Sequence, residues 1–427
     1  MLTVFIAFLV LTLVGVPVAF ALGISGAIFF ILNPDIPFTV PVQLTVSQTQ
    51  NFALLAIPLF IMAGNFLNQS AITERMIQLA TVLVGRLKGG LAQVDLALSG
   101  LMGGVSGSAI ADAAMSARML GPNMIRRGMS KGFVAGIISF SSLLTPVIPP
   151  GIGMILYGTV GQVSIGRLFA AGFVPAFLLW VAMAAVIWVV ARRRGYDAEL
   201  AERPTVRQIG SAFKASIWAI LFPVFLLLGL RWGVFTPSEV GAFAVVYAVG
   251  VGVFAHRALT RAGFLEGLEM SLRDVGAVMF LLSLAAIFSY GLVYEQVPDT
   301  ISRWVLGVSR DLETVMVIIV LVVIVAGFVI DGAILIVMLT PIFLPLILGL
   351  GGDPVHFGII FIIAATIGNF TPPVGAAMFA VCTILKVSIA EYTRESLPFF
   401  AAVCGITLLL VFMPALVLWI PNMMFAR

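Results

Sequence analysis

The chain is poor in the residues that most enzyme and metal chemistry relies on. It has two cysteines and two histidines in 427 residues. Cys382 and Cys404 both lie in apolar runs and read as buried small hydrophobes, which excludes a disulfide framework or a cysteine metal site. His256 and His356 stand in separate loops, so there is no histidine cluster. A Walker A loop is absent, so this chain does not hydrolyse ATP. HExxH, CxxC and GxSxG are absent too, and with them the zinc-peptidase, dithiol and nucleophile-elbow chemistries. The chain is not expected to be an enzyme or to hold an organic cofactor. Residues 1–32 lack a basic leading region, so a cleavable signal peptide is not expected. Charge is scarce as well, at 10% of residues. The net +4 comes from Lys and Arg gathered in a few short loops, a pattern that sets membrane topology and does not point to nucleic acid.

What is present is hydrocarbon. The chain is 61% hydrophobic with a mean hydropathy of +1.17, more apolar surface than a water-soluble fold can bury. Apolar runs long enough to cross a bilayer recur from end to end, which predicts an all-α polytopic membrane protein. Backbone breakers inside those runs repeat. Pro149-Pro150 recurs as Pro372-Pro373, an offset of 223 (372 − 149), and the same offset carries Gly104 onto Gly327, Pro122 onto Pro345 and Pro175 onto Pro398. A hydrophobic unit built twice, with interrupted helices at matching places, is the sequence mark of a secondary transporter's binding site.

The expected division is a first repeat at 1–194, a cytoplasmic linker at 195–214 and a second repeat at 215–427. In the first repeat, residues 1–32 are one span or two, 50–68 a span, and Ile72 to Val84 an amphipathic stretch. A re-entrant hairpin occupies roughly 90–120, broken at Ser106-Gly107-Ser108, and a broken helix occupies 133–159. The second repeat has a hairpin near 315–350 and a broken helix at 357–385, and closes with a span from Leu397 to Ile420. The first hairpin has basic flanks and the second acidic ones, so they are expected to enter from opposite sides. About five spans plus one hairpin per repeat then turns the second copy upside down, an inverted-topology repeat.

Broken helices survive in lipid only where they are buried in protein or line a wet cavity. The prolines at 149, 150, 372 and 373 leave carbonyls free, hard oxygen ligands suited to Na+, and half-helix N-termini suit a carboxylate. The competing role is a kink that only shapes packing. Gly107 allows a tight reversal and Ser108 can cap the returning arm. Ser108 maps onto Asp331, another capping residue, followed by Gly332. Their oxygens serve as caps, as cation ligands, or both. Asp331 and Asp112 are the acids nearest the membrane interior. Asp112 has a local alternative, pairing with Arg118. Thr145 and Thr371 flank the breaks and offer hydroxyls, and Asn369 either binds substrate or satisfies freed backbone.

At these residues the sequence resembles the large membrane subunit of the tripartite ATP-independent periplasmic (TRAP) transporters, within the ion transporter superfamily. The resemblance rests on PLFIMAG at 58–64, VSGSAIADAA at 105–114, IPPGIGMILYG at 148–158, LTPIFLPL at 339–346, DPVHFGI at 353–359 and TPPVG at 371–375, in that order along essentially the whole chain. It implies an elevator mechanism and Na+-coupled symport of an organic acid at a bacterial inner membrane. One Na+ site would involve Ser106, Ser108 and Pro149-Pro150, the other Gly332, Thr371 and Pro372-Pro373. Gly107, Thr145, Asp331 and Asn369 remain for substrate. The implied partners are a soluble periplasmic binding protein and a small four-helix membrane subunit, expected as a separate polypeptide. Family tips are often richer in Ser, Thr and Ala where this chain has Asp112. Two other readings stand beside this one: a stand-alone Na+/dicarboxylate symporter of the same superfamily, and a channel or structural membrane subunit.

Overall fold

A computed structural model describes residues 1–50, 52–373 and 375–425, without the side chains of 48, 49, 53 and 106. All regular structure among the described residues is helical. The first half runs α1 (Leu2–Leu13), α2 (Val18–Leu32), α3 (Thr39–Thr49), α4 (Ala56–Asn68), α5 (Ile72–Val84), α6 (Gly90–Ser106), α7 (Ala109–Met119), α8 (Gly121–Arg126), α9 (Lys131–Ser141), α10 (Ile152–Val160) and α11 (Ile165–Arg194). The second half runs α12 (Val206–Arg231), α13 (Pro237–Gly250), α14 (Arg261–Tyr294), α15 (Val297–Val308), α16 (Leu312–Gly327), α17 (Gly332–Gly349), α18 (Pro354–Ile367), α19 (Ala376–Leu385), α20 (Ile389–Phe412) and α21 (Pro414–Phe425). The 223 offset carries α5, α6, α7, α9, α10 and α11 onto α15, α16, α17, α18, α19 and α20, with starts agreeing to within two residues. Pro175 and Pro398 lie inside the long α11 and α20.

Among the described residues, six helices are long and apolar enough to cross a membrane: α11, α12, α13 with the π-turn that extends it to Ala255, α14, α17 and α20. Five of them have 28–39% of their apolar window buried, whereas α17 has 72%. By length α17 could span, at about 27 Å for eighteen residues. Its burial makes it an interior arm.

Several expected boundaries move. Residues 1–32 form two helices, turned back on each other at Gly15, where φ is +90°. Phe5 and Phe8 of α1 and Phe29 of α2 all pack on α14, against Phe288, Tyr290 and Tyr294. At about 18 and 22 Å, neither is by itself a full crossing. The span expected at 50–68 starts as a 3-10 turn at Phe52–Leu55 and becomes α-helical only over α4. The linker expected at 195–214 is helical from Val206, because Thr205 and Gln208 close a capping box: Gln208 N donates to Thr205 Oγ1 at 3.3 Å and Thr205 N to Gln208 Oε1 at 2.8 Å. The closing span breaks at Met413, before Pro414, which begins α21.

Packing between the halves joins packing within them, where α16 and α17 lie on α18 and α6 on α9. Arm α7 packs on α19 and arm α17 on α10, so each hairpin lies against the broken helix of the other half, while α9 packs on α20. Phe140 sits between Phe370 and Phe399, and Gly132 N donates to Glu391 Oε1 at 2.9 Å.

Candidate functional site

Each hairpin tip seats on a helix break through glycine. Gly107 has φ +62°, and a Cβ there would stand 2.7 Å from the Pro150 carbonyl oxygen. At the second tip the backbones of Gly327 and Gly368 touch, and a Cβ on Gly368 would fall 2.3 Å from Gly327. No side chain fits at either contact without moving main chain.

The expected caps are present. Ser108 begins α7 with its Oγ accepting from Ala111 N at 3.5 Å, and Asp331 begins α17 with Oδ1 accepting from Ala333 N at 2.8 Å. Asn369 Oδ1 accepts from Gly332 N at 3.2 Å, so one end of this amide satisfies freed backbone. Thr371 Oγ1 donates to the Gly368 carbonyl at 3.1 Å, and Tyr392 OH donates to the Phe370 carbonyl at 2.7 Å. Oxygens freed at the second break are thus partly satisfied from within the protein. Both double prolines contain a cis peptide bond. Pro149 and Pro150 are buried, Pro372 is half-buried and Pro373 exposed. The Ser106 side chain lies outside the described residues.

The two tips share one cavity of about 170 Å³. Gly107 and Ser108 line it from the first tip and Asp331 and Gly332 from the second, with Pro146 and Asn369 from the two breaks. Thr145 points elsewhere: its Oγ1 donates to Asp112 Oδ2 at 3.1 Å. The local pairing of Asp112 with Arg118 does not form, because Asp112 is buried and turned inward while Arg118 is exposed.

The sequence reading passed over α14, which lines three cavities along one face. Met270 and Asp274 border a cavity of about 550 Å³, Val278 borders the shared one, and Leu282, Ala286 and Ser289 border one of about 210 Å³. These residues follow a three- and four-residue spacing over roughly 29 Å of helix, close to the bilayer core. The outer part of α7 (Met115, Arg118, Met119) lies at the Met270 end of this seam, and the outer part of α17 (Val337, Pro341) at the Ser289 end. The two hairpins therefore approach their common tip cavity from opposite ends of α14. The sequence signal was available as the i, i+4 run 270–274–278–282–286, masked because the helix is almost uniformly apolar from Val275 onward. A further cavity of about 370 Å³, walled by α6, α11 and α12, is lined almost wholly by hydrocarbon and offers a carboxylate nothing.

Asp95 was also passed over. It is fully buried on α6, and its Oδ2 accepts from Ser141 Oγ at 2.6 Å. An acid in the middle of an apolar run was the visible clue.

A family profile described as the tripartite ATP-independent periplasmic transporter, DctM component, matches residues 5–416. The chain belongs to this family. It is therefore a multi-pass membrane protein of the TRAP large-subunit type. Among curated TRAP relatives, it is 32% identical over 409 residues to the isethionate TRAP transporter permease protein DctMQ of Oleidesulfovibrio alaskensis, covering 96% of this chain and 64% of the relative. It therefore spans just under two thirds of that relative's length. It is 30% identical over 437 residues to the C4-dicarboxylate TRAP transporter large permease protein DctM of Rhodobacter capsulatus, covering 99% of each. Among solved structures, the YdaH transporter of Alcanivorax borkumensis superposes with a TM-score of 0.60 over 87% of each chain at 16% identity, a likeness of fold alone.

Proposed function

We propose that this TRAP large subunit carries an organic acid across a bacterial inner membrane by Na+ symport. It would work with a small four-helix membrane subunit and receive cargo from a soluble periplasmic binding protein. The observation that carries the reading is the single cavity walled by both hairpin tips and both breaks. Two arm N-termini, α7 and α17, open there and favour an anion, while neighbouring freed carbonyls and tip oxygens favour a hard cation. Ser106, Ser108 and Pro149-Pro150 would supply one Na+ site, and Gly332, Thr371 and Pro372-Pro373 the other. Gly107, Asp331 and Asn369 would face the cargo, whereas Thr145 bonds Asp112 away from this cavity.

The recurrence of helices at the 223 offset and the opposite approach of the hairpins support an inverted-topology repeat of 1–194 and 215–427 about the 195–214 segment. The seam along α14 supports an elevator in which hairpins and broken helices slide against a fixed face. Isethionate and C4-dicarboxylate stand in the names of the two relatives, and both are consistent with a small organic acid as cargo.

The test is uptake of labelled acid into proteoliposomes holding both membrane subunits, with binding protein added outside. Uptake against the cargo gradient should need inward Na+ and the binding protein. Equal uptake with K+ replacing Na+ at constant pH removes the sodium assignment. Uptake without binding protein favours the stand-alone symporter, and purely downhill flux favours a channel. Ser108→Ala and Asp331→Ala should weaken Na+ activation more than they lower the yield of folded protein.

A further inference from the structure

The first hairpin holds a buried polar cluster that the tip cavity does not use. Asp95 and Ser99 lie on α6, Asp112 and Ser116 on α7, and Ser141 and Thr145 at the first break. All six are buried. Ser141 Oγ donates to Asp95 Oδ2 at 2.6 Å, and Thr145 Oγ1 donates to Asp112 Oδ2 at 3.1 Å. The other oxygen of each carboxylate and the Ser116 hydroxyl are buried without a hydrogen bond of normal geometry, although Ser116 stands close enough to Asp95, and Ser99 to Asp112, to favour the charged carboxylate weakly. Asp112 acts on Asp95 electrostatically, and among the described residues no Lys or Arg forms an ion pair with either. Two neighbouring buried acids that share one proton carry a single negative charge, which one positive group would balance.

The duplication provides an internal control. Under the 223 offset Asp112 and Ser116 fall on Leu335 and Leu339, Ser141 on Ala364 and Thr145 on Gly368, while α16 carries no polar side chain from Val315 to Gly327. The same hairpin frame is therefore built from hydrocarbon in the second half, so packing does not require the acids. Access is present as well. Asp112 borders the 550 Å³ cavity, whose wall also carries Glu74, Asp274 and Arg118, three carboxylates against one guanidinium. That balance draws cations inward.

We propose that Asp95 and Asp112, with Ser116, bind a hard monovalent cation inside the first hairpin, at a site separate from both tips and reached through this acidic cavity. The choice of Na+ as that ion rests on the sodium reading above. The test is 22Na+ equilibrium binding to the purified full-length chain, together with Na+-titrated thermal unfolding at constant ionic strength with choline as replacement. Asp95→Asn keeps the shape and can still accept from Ser141. It should remove one bound Na+ per chain and raise the half-saturating concentration for stabilisation by roughly tenfold or more. Ser116→Ala should shift it in the same direction by less. Asp331→Ala should leave this site filled. A wild-type Na+ response that survives both Asp95→Asn and Ser116→Ala in folded protein overturns this site alone. Stabilisation by acid in place of Na+ would mean that a proton balances the carboxylates, and overturns it too. No Na+ response in the wild type defeats both this site and the sodium reading.

Discussion

The two hairpins share a frame and differ in almost everything that fills it. Arm α6 is enclosed by protein and α7 buries one face, and together they carry Asp95, Ser99, Asp112 and Ser116 inside. Arm α16 is wholly apolar from Val315 to Gly327 and turns Leu321, Val322 and Val325 outward, while α17 is buried hydrocarbon interrupted by Thr340, whose hydroxyl is satisfied by the Ile336 carbonyl. At the break, position 145 is Thr and its counterpart 368 is Gly. The first hairpin spends stability on buried charge, and the second gains it from close backbone approach. The duplicated frame thus has a polar interior in the first hairpin and a dry one in the second, while the shared tip cavity takes most of its polar side chains from the second half, as Asp331, Thr366 and Asn369. The lesson is that the frame fixes where the tips meet, while chemistry is assigned to each half separately.

The sharpest way to break that contrast is to give the second half what the first has. Gly368→Ala puts a Cβ 2.3 Å from the Gly327 backbone, where no flexible side chain can yield. Overpacking of this kind costs about 1–3 kcal/mol or more. The expected outcome is a lowered unfolding midpoint in detergent and loss of uptake. An alanine variant that keeps both would show that the second tip does not rest on this contact.

The converse exchange gives the first half what the second has. Asp112→Leu with Thr145→Val removes the buried acid and its hydroxyl partner together, matching Leu335 on the arm. Replacing buried ionic groups by hydrocarbon is often neutral or stabilising by about 1–4 kcal/mol. Unfolding should occur at equal or higher temperature while one bound Na+ per chain, and its share of the Na+ stabilisation, is lost. A variant that is destabilised and keeps the full wild-type Na+ binding would make the cluster structural.

How much of this was legible beforehand follows the same line. The hairpins, both breaks and the amphipathic α5 were visible because glycine, proline and a helical period are local signals, and the structure breaks α6 from α7 at the tip expected from Ser106-Gly107-Ser108. Ser108 and Asp331 were readable as caps for the same reason. Asp112 was placed against Arg118 because only sequence neighbours were in view. Its real partner, Thr145, comes from the next broken segment. Asp95 and the lining face of α14 were hidden because burial and convergence across halves are tertiary facts. The number of helices in 1–32 stayed open and the late break at Met413 was missed, because an apolar run does not say how often it turns.

A smaller effect separates the two caps. Asp331 accepts at 2.8 Å and Ser108 at 3.5 Å, so the second arm depends more on its cap. Loss of an N-cap costs about 0.5–2 kcal/mol. Asp331→Ala should sit toward the upper part of that range by thermal or denaturant unfolding, and Ser108→Ala toward the lower. The reverse order would mean that the Asp331 carboxylate is a liability in its buried setting, outweighing its value as a cap.

The mildest contrast lies where α2 and α13 end, at Asn33 in the first half and His256 in the second, again 223 apart. Asn33 Nδ2 donates to the Phe29 carbonyl at 2.9 Å and does not titrate. His256 Nδ1 lies 2.9 Å from the Ser70 carbonyl, so the ring donates to it, and the group is half-buried just past the helix end. Burial first, and then Arg75 nearby, hold its pKa below the ordinary histidine value, only partly offset by the bond to Ser70. A depressed folded-state pKa means that the unfolded chain binds the proton more readily. The contribution of His256 is therefore present above the unfolded value, near pH 6.5, and is lost as pH falls through the lower folded value. Thermal unfolding of the wild type between neutral and mildly acidic pH should reveal this loss, and His256→Asn, which copies the first half, should flatten it. If the slope persists in His256→Asn, the acid sensitivity belongs to buried carboxylates elsewhere and the junction is neutral in both halves.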